Sequence, residues 1–511
     1  MRNEGLGGWP VRRALMTPGR TAFVFGGSAF TYAEFAGRTA RLASRLQAAG
    51  VEPGSRVAYL GPNHLALVET MFATHRLGGV FVPLNFRLTA PEIAYQLGDS
   101  GPAVLVYGPE CAATVGGIGE HPAQVVALAG PAPGEAEYEP WLAGGEDTPI
   151  DVPVRLDDVA LILYTSGTTG RPKGAMLTHG NIVWNTCNVL VGVDLTADDR
   201  ALISAPLFHV AALNQTLLPT FAKGGCSVIA PGWNVDTCYD LIEKHRVTWM
   251  FGVTTMFADF AGSPRWPGAD LSSVRMVMSG GAAVPEVLIR TYQERGLVFC
   301  QGYGMTETAP GATFLEAAES LRKTGSAGVP AFFTSVRVVR PDLTDVAPGE
   351  PGEVLVRGPN VSPGYWRNPE ATAASRTDDE WFRSGDMGVI DDEGHLYVVD
   401  RVKDMFISGG ENVYPAEVEN AIFEHPAVAE VAVVGVPDEK WGEVGKAYVV
   451  CRPGTRLTRD GLREFLRSRL AKYKIPVHLE VRDALPRTGS GKVRKDRLRA
   501  TTQRSNSSPH G

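Results

Sequence analysis

The chain has 511 residues, 44% hydrophobic and 21% charged, with a formal net charge of −7. That length exceeds what one hydrophobic core ordinarily serves, so two or more domains are expected, and the composition is globular rather than disordered or fibrous. No apolar run reaches the length of a membrane span and residues 1–8 hold no apolar leader core, so a cytoplasmic protein without a membrane span is expected.

Charge is unevenly placed. From residue 401 onward there are 20 basic and 14 acidic residues, a net of +6, which leaves −13 on residues 1–400. No aromatic interleaving or recognition motif accompanies the basic residues, so a solvated face or a surface meeting an anionic cofactor is expected, not nucleic acid. Cys111, Cys187, Cys226, Cys238, Cys300 and Cys451 form no C-x-x-C pair and have no histidine at metal-ligand spacing. They read as reduced, partly buried small residues.

In chain order, Thr31 and Glu34 make a capping box, and Phe35, Leu42 and Leu46 share a helix face before Gly50. Strands follow at 57–60, 80–84 and 104–107, separated by a helix over 64–77 and a second capped helix opened by Thr89 and Glu92. Residues 130–156, rich in Pro, Gly and Glu, read as a loop or irregular stretch. An apolar run at 159–163 and further runs at 227–230, 247–251 and 274–278 continue the strand series. Strands alternating with helices predict a parallel α/β core. From about 335 the texture changes to alternating strands between Pro/Gly turns, as in a β-rich subdomain. After residue 400 a compact α+β segment begins: Pro415 opens a helix whose inner face carries Val418 and Ile422, strands are read at 431–434 and 447–451, and Leu462, Phe465, Leu466 and Leu470 stripe another helix. The organisation expected is 1–400, 401–500 and a frayed, Ser-rich tail at 501–511.

The stretch at 164–174, Tyr-Thr-Ser-Gly-Thr-Thr-Gly-Arg-Pro-Lys-Gly, leaves the end of the 159–163 strand. Its glycines let the backbone approach a ligand closely, while hydroxyls and Lys173 add donors and charge, which is the make-up of a phosphate cradle. It is not a Walker loop, because the second glycine of that pattern would fall at Pro172. Five other stretches carry reactive groups: His209 after an apolar run, Tyr303, Gly304, Thr306 and Glu307 on a glycine-flanked loop, Asp386 after Arg383-Ser384-Gly385, Arg401 and Lys403 followed by Gly409 and Gly410, and Lys492 on a glycine-rich loop. Taken singly, His209 also fits a packed histidine, Asp386 an Asx turn and Lys492 a solvated surface lysine.

These blocks, in this order over roughly residues 20–500, resemble the adenylate-forming superfamily, and Gly302-Tyr303-Gly304-Met305-Thr306-Glu307 resembles its acyl- and aryl-CoA ligase branch. The resemblance implies a large N-terminal domain of layered α/β sheets with a β-rich subdomain and a small mobile α+β C-terminal domain. It implies ATP-dependent formation of an acyl-adenylate from a small carboxylic acid, transfer to coenzyme A, and release of AMP and pyrophosphate. ATP, Mg²⁺ and CoA are the cofactors implied, with a carrier protein or a second copy of the chain as further partners.

By the same resemblance, Thr165, Ser166, Gly167, Thr168, Thr169 and Lys173 would hold the β/γ-phosphates, with Glu307 and Thr165 at Mg²⁺. Tyr303 would stack on adenine beside Gly281, Ala282 and Gly304, Thr306 would contact the α-phosphate, and Asp386 and Arg401 would meet the ribose. Lys492 would bridge the substrate carboxylate and the α-phosphate. Rotation about Lys403 would then withdraw it and bring Gly409 and Gly410 up to the pantetheine tunnel. His209 would gate the acyl group.

An amino-acid substrate needs a buried carboxylate for its ammonium group; the peptide-synthetase domains that this chain resembles place an aspartate in the block corresponding to residues 208–212, and none is present here. An uncharged, largely apolar acyl or aryl tail is therefore expected near His209, Val253, Thr254, Phe257, Gly280, Gly281 and Ala282, although Trp249, Phe251, Met256, Phe257 and Phe260 fit a core as well as a pocket wall. Another acceptor thiol or amine, another oxyanion such as nitrite, or a non-catalytic ligand-binding homologue are the alternatives at this stage.

Overall fold

The computed structural model describes residues 3–119, 122, 124–148, 150–165, 172–281, 284–401, 404–408, 411–438, 440–467, 469–488 and 493–506, with backbone alone at 400, 401, 411, 412 and 501–506. Local capping chemistry starts two of its N-terminal helices. Thr31 Oγ1 accepts from the Glu34 amide and Glu34 Oε2 from the Thr31 amide at the head of helix Tyr32–Ala48, and Thr89 and Glu92 form the same box before Ala90–Ser100. Amide donors that a helix start leaves orphaned are satisfied this way. Helix Leu65–Arg76 is buried around its circumference because it lies between two sheets.

Among the described residues the strands assemble into four sheets. A nine-stranded sheet has Arg200–Ile203, Trp249–Gly252, Met276–Gly280 and Val298–Gly304 as successive parallel neighbours, with Gly311–Phe314 antiparallel beyond them. An eight-stranded sheet places Val80–Leu84, Arg56–Leu60 and Val104–Tyr107 in parallel, flanked by the hairpin Val159–Thr165 and Lys173–Thr178. Phe23, Trp249 and Met276 of the first sheet and Tyr59, Phe81 and Leu161 of the second share one core with the helices between them. The opposite face of the nine-stranded sheet buries Leu202, Met250, Val277 and Phe299 in a separate core. Fully covered parallel strands account for the near-continuous apolar runs read in the sequence.

Strands Ser335–Val339, Gly352–Arg357, Phe382–Ile390 and Leu396–Arg401 form the β-rich subdomain as a four-stranded antiparallel sheet. Beyond residue 405, a five-stranded sheet packs on helices Pro415–Phe423 and Arg459–Leu466 through Val418, Ile422, Leu462 and Leu466.

Three local expectations change. Within the stretch expected to be irregular, residues Tyr138–Ala143 are helical, and Tyr138, Trp141 and Leu142 are buried because three- and four-residue spacing puts them on one face. The C-terminal helix Lys495–Asn506 runs past residue 501, where fraying was expected. The striped helix ends at Leu466, short of Leu470, which still packs on the small core. All six cysteines are free, with Cys111, Cys226, Cys238 and Cys300 buried.

Candidate active site

The phosphate cradle joins the two strands of a hairpin. Thr165 lies opposite Lys173, and Ser166, Gly167, Thr168 and Thr169 between them fall outside the described residues. The flanks are held firmly. Tyr164 donates its hydroxyl to Asp99 Oδ2 at 2.6 Å, Tyr95 donates to the Pro172 carbonyl at 3.4 Å, and the Trp366 amide donates to the Gly174 carbonyl at 2.7 Å. Burial and the Asp99 carboxylate push the Tyr164 phenol above its usual range.

The second wall comes from the nine-stranded sheet. Strand Val298–Gly304 delivers Tyr303 and Gly304, and the 3-10 turn Thr306–Thr308 that follows presents Thr306 and Glu307, all of them half-buried. Asn360 fixes this turn: fully buried, it donates Nδ2 to the carbonyls of Thr308 and Gly311 at 2.8 and 2.9 Å. The Ser362 amide donates to the Glu307 carbonyl at 2.7 Å.

The third wall is the four-stranded sheet, where Asp386 is buried and pairs in register with Arg401 on the neighbouring strand. Tyr303 donates its hydroxyl to Asp386 Oδ2 at 2.8 Å. Tyr365, on the edge strand beside the hairpin, donates to Glu307 Oε1 at 2.8 Å, and its ring centre is 5.5 Å from Lys173 Nζ. Two phenol–carboxylate bonds therefore stitch three sheets together at one place, and hydrogen bonds to a charged partner are stronger than neutral ones. Burial and the Glu307 charge raise the Tyr365 phenol well above its ordinary value, so it stays a donor.

Opposite these groups lies a less polar region. His209 is half-buried, its ring 4.4 Å from that of Phe208, and its carbonyl accepts from the Leu213 amide at the entrance to the π-helix Ala211–Leu217. Val253 and Thr254 are half-buried at the start of helix Thr254–Gly262. Gly280 lies opposite Gly302 on the adjacent parallel strand, and a Cβ at Gly280 would stand 3.0 Å from the Gly302 carbonyl oxygen. Gly281 has φ of +85°, a backbone state that favours glycine.

Phe257 departs from the expectation of a pocket wall. It is fully buried on the other face of the sheet, against Tyr292 and Phe299, because the helix start at Thr254 turns Met256 toward one core and Phe257 toward the other. Phe251 and Met256 remain on the His209 side. Ala282, Lys403, Gly409, Gly410 and Lys492 lie outside the described residues, as does the Arg401 side chain. Tyr365 and Asn360 were not singled out from the sequence; the aromatic pair Tyr365-Trp366 after Pro363-Gly364 was the one visible signal.

Comparison with known proteins decides what this arrangement belongs to. The family model described as AMP-binding enzyme matches residues 11–366, and that described as AMP-binding enzyme C-terminal domain matches 417–492. The chain belongs to the AMP-binding enzymes. It is 55% identical over 499 residues to feruloyl-CoA synthase of Amycolatopsis sp, covering 98% of this chain and 99% of that one. Against indoleacetate–CoA ligase of Aromatoleum aromaticum it is 46% identical over 499 residues, with 97% and 98% covered. The solved o-succinylbenzoate CoA synthetase of Bacillus subtilis, in complex with its acyl-adenylate intermediate, matches with a TM-score of 0.86 at 35% identity over 98% of both chains.

This AMP-binding enzyme is an ATP-dependent acid–thiol ligase of the acyl/aryl-CoA branch. A carboxylate displaces pyrophosphate from ATP to form an acyl-adenylate, and the CoA thiol then displaces AMP, with Mg²⁺ as cofactor. The donor set fits the ion. Mg²⁺ is commonly held by one or two carboxylates together with substrate phosphates and water, and Glu307 presents one carboxylate whose second oxygen takes no hydrogen bond among the described residues. The ion's chemistry is to neutralise charge on the departing phosphates. No described helix is long and apolar enough to cross a membrane.

Proposed function

We propose that the acid activated is aromatic: a carboxylate joined by a short spacer to one ring, of the hydroxycinnamate kind, and that the reaction takes place in the cytoplasm. The observation that carries the substrate reading is 55% identity along 98% of the chain to a feruloyl-CoA synthase. The acyl side agrees with it. Gly280 and Gly302, side by side on adjacent strands, leave that stretch of the sheet without side chains, and residues 208–212 offer no carboxylate for an ammonium group.

In this reading the hairpin at 164–174 holds the leaving pyrophosphate, with Lys173 and Glu307 (and its Mg²⁺) on the β/γ-phosphates. Asp386 accepts from the ribose hydroxyls, and Tyr303, its hydroxyl tied to Asp386, presents its ring to adenine. Lys492 steadies the carboxylate against the α-phosphate in the first step and leaves with the C-terminal domain, which turns about Lys403 before the thiol attacks. Two nucleophiles are thereby positioned in succession at one site.

ATP–pyrophosphate exchange across ferulate, 4-hydroxycinnamate, cinnamate, indole-3-acetate and hexanoate tests the substrate reading. Exchange should be fastest with the hydroxycinnamates. Turnover confined to hexanoate would overturn it.

A further inference from the structure

Gln215 sits on the π-helix that begins just after His209 and is 3% exposed. Its Nε2 donates to Met278 Sδ at 3.2 Å, and its Oε1 meets no hydrogen-bond partner among the described residues. A thioether accepts but cannot donate, so the amide turns its nitrogen to Met278 and its oxygen away from it. A buried carbonyl oxygen left this way is unfavourable unless another donor completes it.

The place it occupies is informative. Met278 and Gly280 alternate along one strand and share a face, so Gln215 contacts the sheet about 7 Å deeper than Gly280, at 3.3 Å per residue. Phe251, Met278 and Cys300 line that face as part of the apolar core. π-Helical turns of this kind occur often at functional sites, where an added residue re-aims a side chain. An acid whose carboxylate faces the nucleotide wall beside Gly280 therefore puts the far edge of its ring at the Gln215 amide.

We propose that Gln215 is a specificity-determining residue whose Oε1 accepts a hydrogen bond from a hydroxyl on the far edge of the ring of the substrate acid. This deepens the aromatic-acid reading and rests on it. The chemistry selects a donor: a phenol completes the amide, whereas an unsubstituted ring or an alkoxy group alone leaves it orphaned. Sites built to bond a substrate hydroxyl discriminate strongly against the analogue lacking it, because the protein group is then left unpaired.

The test compares kcat/KM for 4-hydroxycinnamate and cinnamate in the wild-type enzyme and in Gln215→Leu. Wild type should prefer the hydroxylated acid, and the ratio of the two values should fall about 10- to 100-fold in the variant, mainly through KM for 4-hydroxycinnamate. If Gln215→Leu does not fold, Gln215→Met, which keeps the side-chain length, should show the same collapse of the ratio. Equal losses on both acids, or a wild type indifferent to the hydroxyl, would overturn the assignment while leaving the aromatic-acid reading intact. Exchange with neither acid would overturn both.

Discussion

At the nucleotide end of the site, charged groups are tied down before any ligand arrives: Tyr303 holds Asp386, Tyr365 holds Glu307, and Asn360 pins the turn between them. The proposed acyl end is made of glycine backbone, a half-buried histidine and an amide whose oxygen takes no hydrogen bond among the described residues. The first arrangement is preorganised for a ligand that never changes, since ATP is common to the family. The second leaves its polar capacity open for the one ligand that does. Preorganised donors and carboxylates are where a charged transition state gains most, and an incompletely satisfied pocket is where discrimination between acids is strongest.

The sharpest way to break this contrast is Lys492→Ala. Adenylate formation, read by pyrophosphate exchange, should fall about 10²- to 10³-fold, as when one preorganised donor is removed from a charged transition state. Thioester formation from supplied acyl-adenylate should keep most of its rate; equal loss in both steps would contradict a lysine that serves only the first.

Asp386→Ala should raise KM for ATP about 10- to 100-fold through lost hydrogen bonds to a charged group, with KM for the acid little moved. A comparable rise in both would mean that the two ends are not independent. On the acyl side, Gly280→Ala puts a Cβ 3.0 Å from the Gly302 carbonyl oxygen, and kcat/KM for aryl acids should drop about tenfold with KM for ATP unchanged. Tyr365→Phe removes only the phenol that orients Glu307, so the Mg²⁺ concentration for half-maximal exchange should rise about fivefold.

The smallest effect on activity is visible as stability. His75, fully buried, places Nε2 2.9 Å from the carbonyl of Ala160 on the first strand of the hairpin Val159–Thr165 and Lys173–Thr178, with the His179 ring 5.1 Å away. Burial lowers both imidazoles, His179 to about 4, so both are neutral in the folded chain while the unfolded chain protonates near its ordinary value. Their contribution is complete above about pH 6.5 and is lost as pH falls toward 4, by up to about 3 kcal/mol for His179. Thermal denaturation between pH 7 and 4.5 measures it, and His179→Gln should flatten the slope.

Both capping boxes were legible from four residues each, because caps are local. The strand leading into the stretch at 164–174 was legible as an apolar run, whereas its antiparallel partner Lys173–Thr178 was not. Tyr365 and Glu307 stand 58 positions apart and meet only because an edge strand pairs beside the hairpin, a register that no local pattern encodes. Phe257 was misplaced by the same kind of limit: which of two adjacent apolar residues faces the pocket depends on the residue at which the helix starts, and helix boundaries are the least readable feature of a sequence. Gln215 reads in sequence as any polar residue within an apolar run; its contact with Met278, 63 positions away, comes only from the pairing of helix and sheet.

Gly280 and Gly302 lie side by side on adjacent parallel strands, so substitution at either can only add bulk to that face, where the Phe251 and Phe314 rings already stand 3.5 and 3.3 Å from the places their Cβ atoms would take. In the proposed reading, a lineage or an engineer seeking to admit a bulkier acid must therefore work on those two rings or on the π-helix. On that assignment, change of substrate range falls to side chains around the glycine pair, while the backbone at Gly280 and Gly302 stays constant.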